Sequence, residues 1–514
     1  MDGNTSETSS QWGPFGRPLF DDPKSLALKR VGVIDIGSNS VRMVVFDGAA
    51  RSPAYFFNEK VMCALGAGMA ETGHLNPSGR KRAYSALKRF KLLADQLNVR
   101  TLTAVATAAV RDATDGDAFR KEVLHDTGLD IWVINGEEEA RLSAQGVLLG
   151  WPGSFGLVCD IGGSSMELAE ISDGQVGKRV TSALGPLKLR DLPGGRKARV
   201  KTIKSTMTKL AQQMGDQRDR LFLVGGSWRS IARIDMHRRG YPLHVQHEYR
   251  MSADDVHDTT KYLANADQEA LRAACEISSN RMQLVPYAAD VLTEIVRQFK
   301  PKDIAISSYG IREGLLYEQM PQELRDRDPL IEYCRFAESK DARIPGFGRA
   351  LFNFVLPLFP NSSPAQIRLI KAACLLHDVN WRAHPDFRAE TCFDTATRAN
   401  MGGMKHGERV FLGLALLHRY RNKRESTRFD ELSDLIGEEA QHAAEVLGKA
   451  MRLGAMLSPN ETSKSDVALN WSAEQNLLQL ELAKAIEPLF GEVAQARLSS
   501  LAETLGAETK VLVT

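Results

Sequence analysis

Two stretches of this chain follow one unusual plan. "VIDIGSNSVRM" runs from Val33 to Met43, and "VCDIGGSSMEL" runs from Val158 to Leu168, about 125 residues later. In each, a short apolar run ends in Asp, turns through Gly and small polar residues, and returns as a second run that closes on Asp-Gly. That is the pattern of a β-hairpin. In register, Asp35 matches Asp160, Gly37 matches Gly162 and Arg42 matches Glu167. A pair so far apart is a duplicated supersecondary unit rather than a short-period repeat, and it predicts two similar lobes.

Each turn has chemical consequences. The Asp points a carboxylate off the strand end. The glycines, Gly37 in one copy and Gly162 and Gly163 in the other, let successive backbone N–H groups form a concave nest suited to phosphate. Ser38, Asn39, Ser40, Ser164 and Ser165 add neutral donors. One such loop is usually only a hairpin. Two matched loops on twin lobes can grip one phosphate chain from both sides, with Asp35 and Asp160 ready to hold Mg²⁺ or Mn²⁺, directly or through water.

The surrounding pattern alternates strands with helices. Residues 76–98 have helical spacing, 101–111 read as one buried strand, and 131–135 read as a strand running into a helix at "GEEEARLSAQGVLLG". "LFLVGGSWRSIARI" and "KDIAISSYGIREGLLYEQM" each read as strand, glycine turn, helix. Alternation of this kind predicts an α/β architecture. Asn135 and Glu138 have capping-box spacing, so any of Glu137, Glu138 and Glu139 can be read as a helix-start acid. Strand signals fade from about 331 to 455, where apolar residues recur at helical spacing. The last segment reads as strand, helix, strand: "DVALNWS", then a helix over "NLLQLELAKAIEPLFGEVAQARLSSLAETLG", then "TKVLV". The expected divisions are a flexible tail at 1–29, lobes at 30–140 and 141–320, a helical domain at 321–458, and a small α+β domain at 459–514.

Composition excludes several classes. No apolar run reaches the roughly 18–20 residues of a membrane span, and the first 29 residues lack a secretory signal pattern. Six cysteines without a CxxC spacing fit reduced thiols in the cytoplasm. Net charge is only +2, but residues 178–239 hold 16 Lys/Arg against 4 Asp/Glu. Such a block is either a solvated helix face or a focus for an anionic partner, with Arg190, Lys197 and Lys201 as an extended track.

The ordered set "DIGSNSVRM", "ATAAVRDA", "GEEEARL", "DIGGSSMEL", "VGGSWRSIARI" and "YGIREGLLYE" resembles the Ppx/GppA phosphatases. These are exopolyphosphatases and guanosine pentaphosphate phosphohydrolases of the actin/Hsp70/sugar-kinase superfamily. The resemblance implies two ribonuclease-H-like lobes, an all-α HD-like domain and a C-terminal α+β domain. It assigns the catalytic base to Glu139, a second essential acid and metal ligand to Glu167, and a phosphate-facing arginine to Arg111. It adds Gly225, Gly226, Ser227 and Gly310 to the phosphate-binding loops. It places Asp35, Asp160 and Glu167 at the metal. Ser164 and Met166 depart from the family's glycine and threonine, and Tyr309 is bulkier than expected.

The implied activity is bacterial, cytoplasmic, Mg²⁺-dependent hydrolysis of the terminal phosphoanhydride of inorganic polyphosphate. Cleavage of guanosine pentaphosphate (pppGpp), linked to the stringent response, and phosphate transfer to ADP remain open, as does a non-catalytic sensor. Expected partners are polyphosphate and a second copy in a homodimer. No nucleic acid partner is expected, and a peripheral position at the inner membrane stays open. His377-Asp378 is the doublet of HD phosphohydrolases, but no histidine precedes it where a first metal ligand would come. A remnant without metal is the leading expectation, and a second metal site or a recruited regulatory one stays open.

Overall fold

The computed structural model describes residues 30–48, 51–215, 219–422, 429–457 and 466–514. The expected flexible tail at 1–29 lies outside them. The chain divides into two compact units between Arg327 and Asp328.

The first unit contains two sheets of one design. In the first, β1 (Val31–Ile36) pairs antiparallel with β2 (Ser40–Phe46), which pairs antiparallel with β3 (Tyr55–Met62). On its other side β1 runs parallel to β4 (Thr101–Ala106), and β4 parallel to β5 (Ile131–Val133). The order is β3-β2-β1-β4-β5. The second sheet repeats this with β6 (Gly156–Ile161), β7 (Met166–Ser172), β8 (Gln175–Ser182), β9 (Arg220–Val224) and β11 (Asp303–Ser307), in the order β8-β7-β6-β9-β11. A two-residue strand, β10 (Arg250–Met251), extends its edge. Short turns join β1 to β2, β6 to β7 and β7 to β8, and helices lie between the parallel neighbours, because a parallel return needs a crossover. The duplication legible in the hairpins thus extends to whole sheets.

Each sheet has its own core. Ile34, Ile36, Val41, Met43 and Val45 pack with Phe90, Phe119 and Val123 in the first. Leu157, Cys159, Ile161, Met166 and Leu168 pack with Trp228, Ile231 and Ile295 in the second. The central strands β1 and β6 are apolar nearly throughout because elements cover both faces. The edge strand β3 instead alternates partly buried with exposed positions.

The run 101–111 is not one strand. β4 ends at Ala106, and Ala108–Asp112 forms a short helix. A continuous apolar stretch fits a buried strand and a buried helix equally well. Thr107 makes the break, with its N–H donating to the Ile36 carbonyl and its own carbonyl accepting from Arg111 N–H.

The Gly136–Gly150 helix is pressed against the Ile311–Glu318 helix. A Cβ on Gly314 would lie 1.8 Å from the Leu142 carbonyl, and one on Gly146 would lie 2.3 Å from that of Gly310. Glycine at both points lets the backbones touch. A Cβ on Gly136 would meet the Thr181 side chain at 2.6 Å, so this helix also starts hard against β8.

Among its described residues, the second unit is helical from Pro329 to Leu457, apart from connecting loops. A three-stranded sheet follows. β12 (Val467–Ser472) pairs antiparallel with β13 (Leu477–Leu482), which pairs parallel with β14 (Glu508–Val513). The expected single helix beginning at Asn476 is therefore corrected. "LLQLEL" is a strand that buries Leu478, Leu480 and Leu482 on one face, and the helix spans only Glu492–Leu505. Its period-2 alternation is the strand signal.

Candidate active site

The two hairpin turns adopt the same closure. Gly37 N–H donates to the Ser40 carbonyl at 3.0 Å, and Gly162 N–H donates to the Ser165 carbonyl at 3.0 Å. Across the turns Asp35 sits opposite Arg42, and Asp160 opposite Glu167. The turns face each other directly: Ser164 Oγ lies 3.3 Å from Ser38 Oγ. A Cβ on Gly163 would fall 3.6 Å from that of Ser38.

Between them lies a cavity of about 290 Å³. Asp35, Asp160 and Glu139 reach it, as do Gly37, Ser38, Asn39, Ser40, Gly162, Gly163, Ser164, Ser165, Gly225, Gly226, Ser227 and Gly310. Gly225 is conformationally required. Its φ is +118°, and a Cβ would lie 2.6 Å from the Ile161 carbonyl and 3.2 Å from Asp160 Oδ1.

Glu167 and Arg111 do not line this cavity. Glu167 is 1% exposed and lies behind the turn, accepting from Thr181 Oγ1 at 3.1 Å. Arg111 donates to the Ile134 carbonyl at 3.1 Å and to Asp112 at 3.0 Å, with a nitrogen 3.7 Å from Glu139 Oε2.

The helix around Glu139 separates the three adjacent acids. Asn135 accepts from Glu138 N–H at 2.8 Å and so caps the helix. The Glu138 carboxylate pairs with Arg141 rather than closing a reciprocal box, and Glu137 is exposed. Glu139 is 5% exposed, and its Oε2 has no hydrogen-bond partner. Burial, with repulsion from Glu167 and Asp160, holds its carboxyl well above the usual range, although Arg111 opposes this. Burial and Asp160 push Glu167 up to about 8, against the hydroxyls of Ser165 and Thr181. Burial raises Asp160 to about 6 even with Ser143 donating to it. Asp35 is raised mainly by burial, which outweighs Arg312 and Arg42.

Among these acids stand five cations that sequence reasoning missed, Arg312 lying 4.0 Å from Asp35. Arg42, Lys60, Arg229, Arg281 and Arg312 all line the cavity. Burial, with Arg312 and Arg281 beside it, lowers Arg229 to about 10. Burial, with Arg281, Arg42 and Arg229, lowers Lys60 to about 8. Arg312 Nη1 is buried without a partner. Arg42, Arg229 and Arg312 lie inside the motifs that identify the loops. Their one available signal was charge beside a glycine turn. Glu313, by contrast, is a structural anchor, accepting from Gly310 N–H at 2.8 Å and Tyr55 OH at 2.7 Å. Tyr309 faces His247, ring centres 4.7 Å apart, and is buried.

Part of the basic block at 178–239 is neutralised by ion pairs. Arg190 pairs with Asp191, Arg199 with Asp290, Arg220 with Asp303, and Arg238 and Arg239 with Asp235 and Asp255. Arg190 is therefore not a free link in an anion track. Lys197, Lys201 and Lys204 stay together along one face of the Gly195–Met214 helix.

In the second unit, Asp378 is held by the Arg343 guanidinium at 2.7 and 2.6 Å. His377 Nδ1 lies 2.8 Å from the Cys374 carbonyl, and burial lowers its pKa to about 4.

The fold and site define a class: a two-lobed α/β protein that turns twin phosphate-type loops, buried acids and five cations onto one cavity. Residues 44–323 match the Ppx/GppA phosphatase family, and residues 357–512 match the family described as exopolyphosphatase, C-terminal. The first match covers more than half of the chain, which belongs to the Ppx/GppA phosphatase family. Relatives at 25% identity include retrograde regulation protein 2 of Saccharomyces cerevisiae, over 76% of this chain and 72% of that protein. Another is the guanosine-5'-triphosphate,3'-diphosphate pyrophosphatase of Vibrio campbellii, over 88% and 92%. A third is exopolyphosphatase 1 of Mycobacterium tuberculosis, over 59% and 91%. A solved exopolyphosphatase from Cytophaga hutchinsonii shares the actin-like fold of the family, with a TM-score of 0.51 and 22% identity over 58% of this chain and 99% of its own. No helix among the described residues is long and apolar enough to cross a membrane.

Proposed function

We propose that this protein is an exopolyphosphatase that hydrolyses the terminal phosphoanhydride of inorganic polyphosphate and releases orthophosphate. The observation that carries this is the facing pair of turns over one cavity that Glu139, Asp35, Asp160 and five cations line together. A polyanion threaded between the turns meets backbone N–H groups from both lobes and the guanidinium groups of Arg42, Arg229, Arg281 and Arg312. Glu139 orients a water toward the terminal phosphorus and takes its proton. A raised carboxyl is a stronger base near neutral pH, and such assistance supplies about 10²–10⁴-fold. Arg111 acts through Glu139, holding its charge and position from outside the cavity. Developing charge on the phosphoryl oxygens is stabilised by fixed dipoles and cations, which dominate this kind of catalysis.

A hard divalent cation fits this donor set. Glu139 Oε2, which has no hydrogen-bond partner, and the carboxylates of Asp35 and Asp160 line the cavity as oxygen ligands whose mutual repulsion a cation would relieve, with Glu167 behind the turn adding to that repulsion. No three ligating side chains converge on one point among the described residues. A cation held by one or two carboxylates completes its shell with phosphate oxygens and water, the usual Mg²⁺ arrangement. When bound, Mg²⁺ or Mn²⁺ supplies charge neutralisation on the phosphates.

Cleavage of pppGpp is the second reading. The same cavity accommodates a 5′ triphosphate end, and the V. campbellii relative spans most of the chain. The test is Mg²⁺-dependent phosphate release from long-chain polyphosphate and pppGpp, by wild type and Glu139→Gln. Release from polyphosphate that falls at least 100-fold in the variant is expected. Preference for pppGpp selects the second reading, ATP formed on adding ADP selects phosphotransfer, and wild-type turnover in Glu139→Gln rejects the base. A cytoplasmic location fits the six cysteines, which form no disulfide, and a homodimer is the proposed assembly. The helices of the second unit are read as an HD-like remnant, because Arg343 takes the Asp378 carboxylate a metal would need, and residues 459–514 as its α+β appendage.

A further inference from the structure

We propose that the second unit carries a separate site for a small phosphate-type oxyanion, built by Arg419, Arg452 and Arg497. Arg419 follows the His406–His418 helix, Arg452 lies on Glu438–Leu457, and Arg497 lies on Glu492–Leu505. Three contacts bring them together. A Cβ on Gly448, one turn before Arg452, would sit 2.5 Å from the His418 Cβ and 3.0 Å from the Arg419 nitrogen, so the first two helices touch there. Ser500 Oγ donates to Asn422 Oδ1 at 2.6 Å, and Arg497 and Arg419 each lie three residues before that contact. Lys449 Nζ donates to Thr504 Oγ1 at 2.6 Å and ties the remaining pair of helices.

Each arginine contributes a buried nitrogen with no hydrogen-bond partner: Arg419 Nε, Arg452 Nη1 and Arg497 Nε. Arg419 is 9% exposed. Arg335 and Arg409 also leave Nε unbonded, but their guanidinium groups, like that of Arg368, hold a carboxylate or carbonyls: Arg368 on Asp328, Arg335 on Glu338, and Arg409 on the carbonyls of Ala399 and Met401. Among the described residues no carboxylate lies within ion-pair distance of Arg419, Arg452 or Arg497. Asp378 acts on Arg419 only at longer range and is held by Arg343. The nearby Lys449 ammonium is already paired with Glu445 at 2.7 Å. Burial, with repulsion from Arg497 and Arg419, lowers Arg452 to about 10. Like charges are buried together only where something neutralises them. Planar guanidinium forks with unbonded N–H groups match the oxygens of a phosphoryl group. Orthophosphate or a nucleotide-borne phosphate supplies that chemistry.

The test uses the full chain in chelator, as wild type, Arg452→Met, Arg497→Met and the double variant. Equilibrium dialysis with labelled orthophosphate should find one more site in wild type than in the double variant. Each single change should weaken that site about 10-fold or more, the usual scale of a charged hydrogen bond. Turnover of polyphosphate, measured separately with Mg²⁺ restored and initially free of phosphate, should be unchanged. Both single variants should melt higher than wild type without phosphate, because a buried like charge is gone, and wild type should recover the difference as phosphate is added. Displacement of the label by GDP at lower concentration would identify a nucleotide as the carrier, and its failure would identify free phosphate. Wild-type phosphate stoichiometry in the double variant overturns the site. So does a change of oligomeric state without any phosphate response, since a partner's carboxylate would then be the counter-ion.

Discussion

Replacing Glu167 by Gln in chelator-treated protein isolates the electrostatic strain of the catalytic cavity. The fold raises the Glu167 carboxyl from 4.5 to about 8, chiefly by burial and then by Asp160. A raised carboxyl favours the protonated form. Its stabilisation is complete below pH 4.5 and is lost as pH rises through about 8. Gln resembles the protonated group, can keep its Oε1 beside Thr181 Oγ1, and does not titrate. At about 1.36 kcal/mol per pK unit, the variant should match wild type near pH 4.5, exceed it by about 3 kcal/mol at pH 7, and by roughly 4–5 kcal/mol above pH 8.5. Urea unfolding at pH 5, 7 and 9, read by hydrogen exchange in peptides from β6 and β7, measures this. An advantage that is constant with pH, or that shrinks as pH rises, would refute the charge arrangement. Adding Mg²⁺ should narrow the gap in wild type, while phosphate release by the variant stays impaired.

Other outcomes follow from the same geometry. Gly225→Ala forces a left-handed φ on alanine and drives its Cβ into the Ile161 carbonyl. A loss of roughly 2–5 kcal/mol by urea denaturation, with reduced turnover, is expected from strain plus overpacking. Arg229→Gln removes one buried cation from a repelling group, so it should fold normally while KM for polyphosphate rises about 10- to 100-fold. Its salt dependence should also flatten, because one screened attraction is lost; an unchanged KM would remove Arg229 from the anion path.

The hairpins were legible because turn chemistry is local. Asp-Gly ends, a glycine turn and alternating apolar strands determine β1-β2 and β6-β7 without reference to the rest of the chain. Their repetition also announced two lobes, and with them the facing of Asp35 and Asp160. Two segments were misread. The run "AVATAAVR" suits a buried strand or a buried helix, and only the contact of Thr107 N–H with β1 ends the strand at Ala106. "LLQLEL" carried its alternation openly but stood directly before a helix.

Sequence by itself determined the two turns, the donor types within them and the neighbourhood of three acids at 137–139. Tertiary structure decided which acid serves the cavity. Successive helical residues point about 100° apart, and the tight seats of Gly136 on Thr181 and Gly146 on Gly310 turn Glu139 inward while Glu138 meets Arg141 outside. Tertiary structure also assembled the five cations. Arg42, Lys60, Arg229, Arg281 and Arg312 come from distant segments, and no spacing rule links them. Two sheets of one topology bring their strand ends to one cavity, and convergence of that kind is a property of packing rather than of sequence.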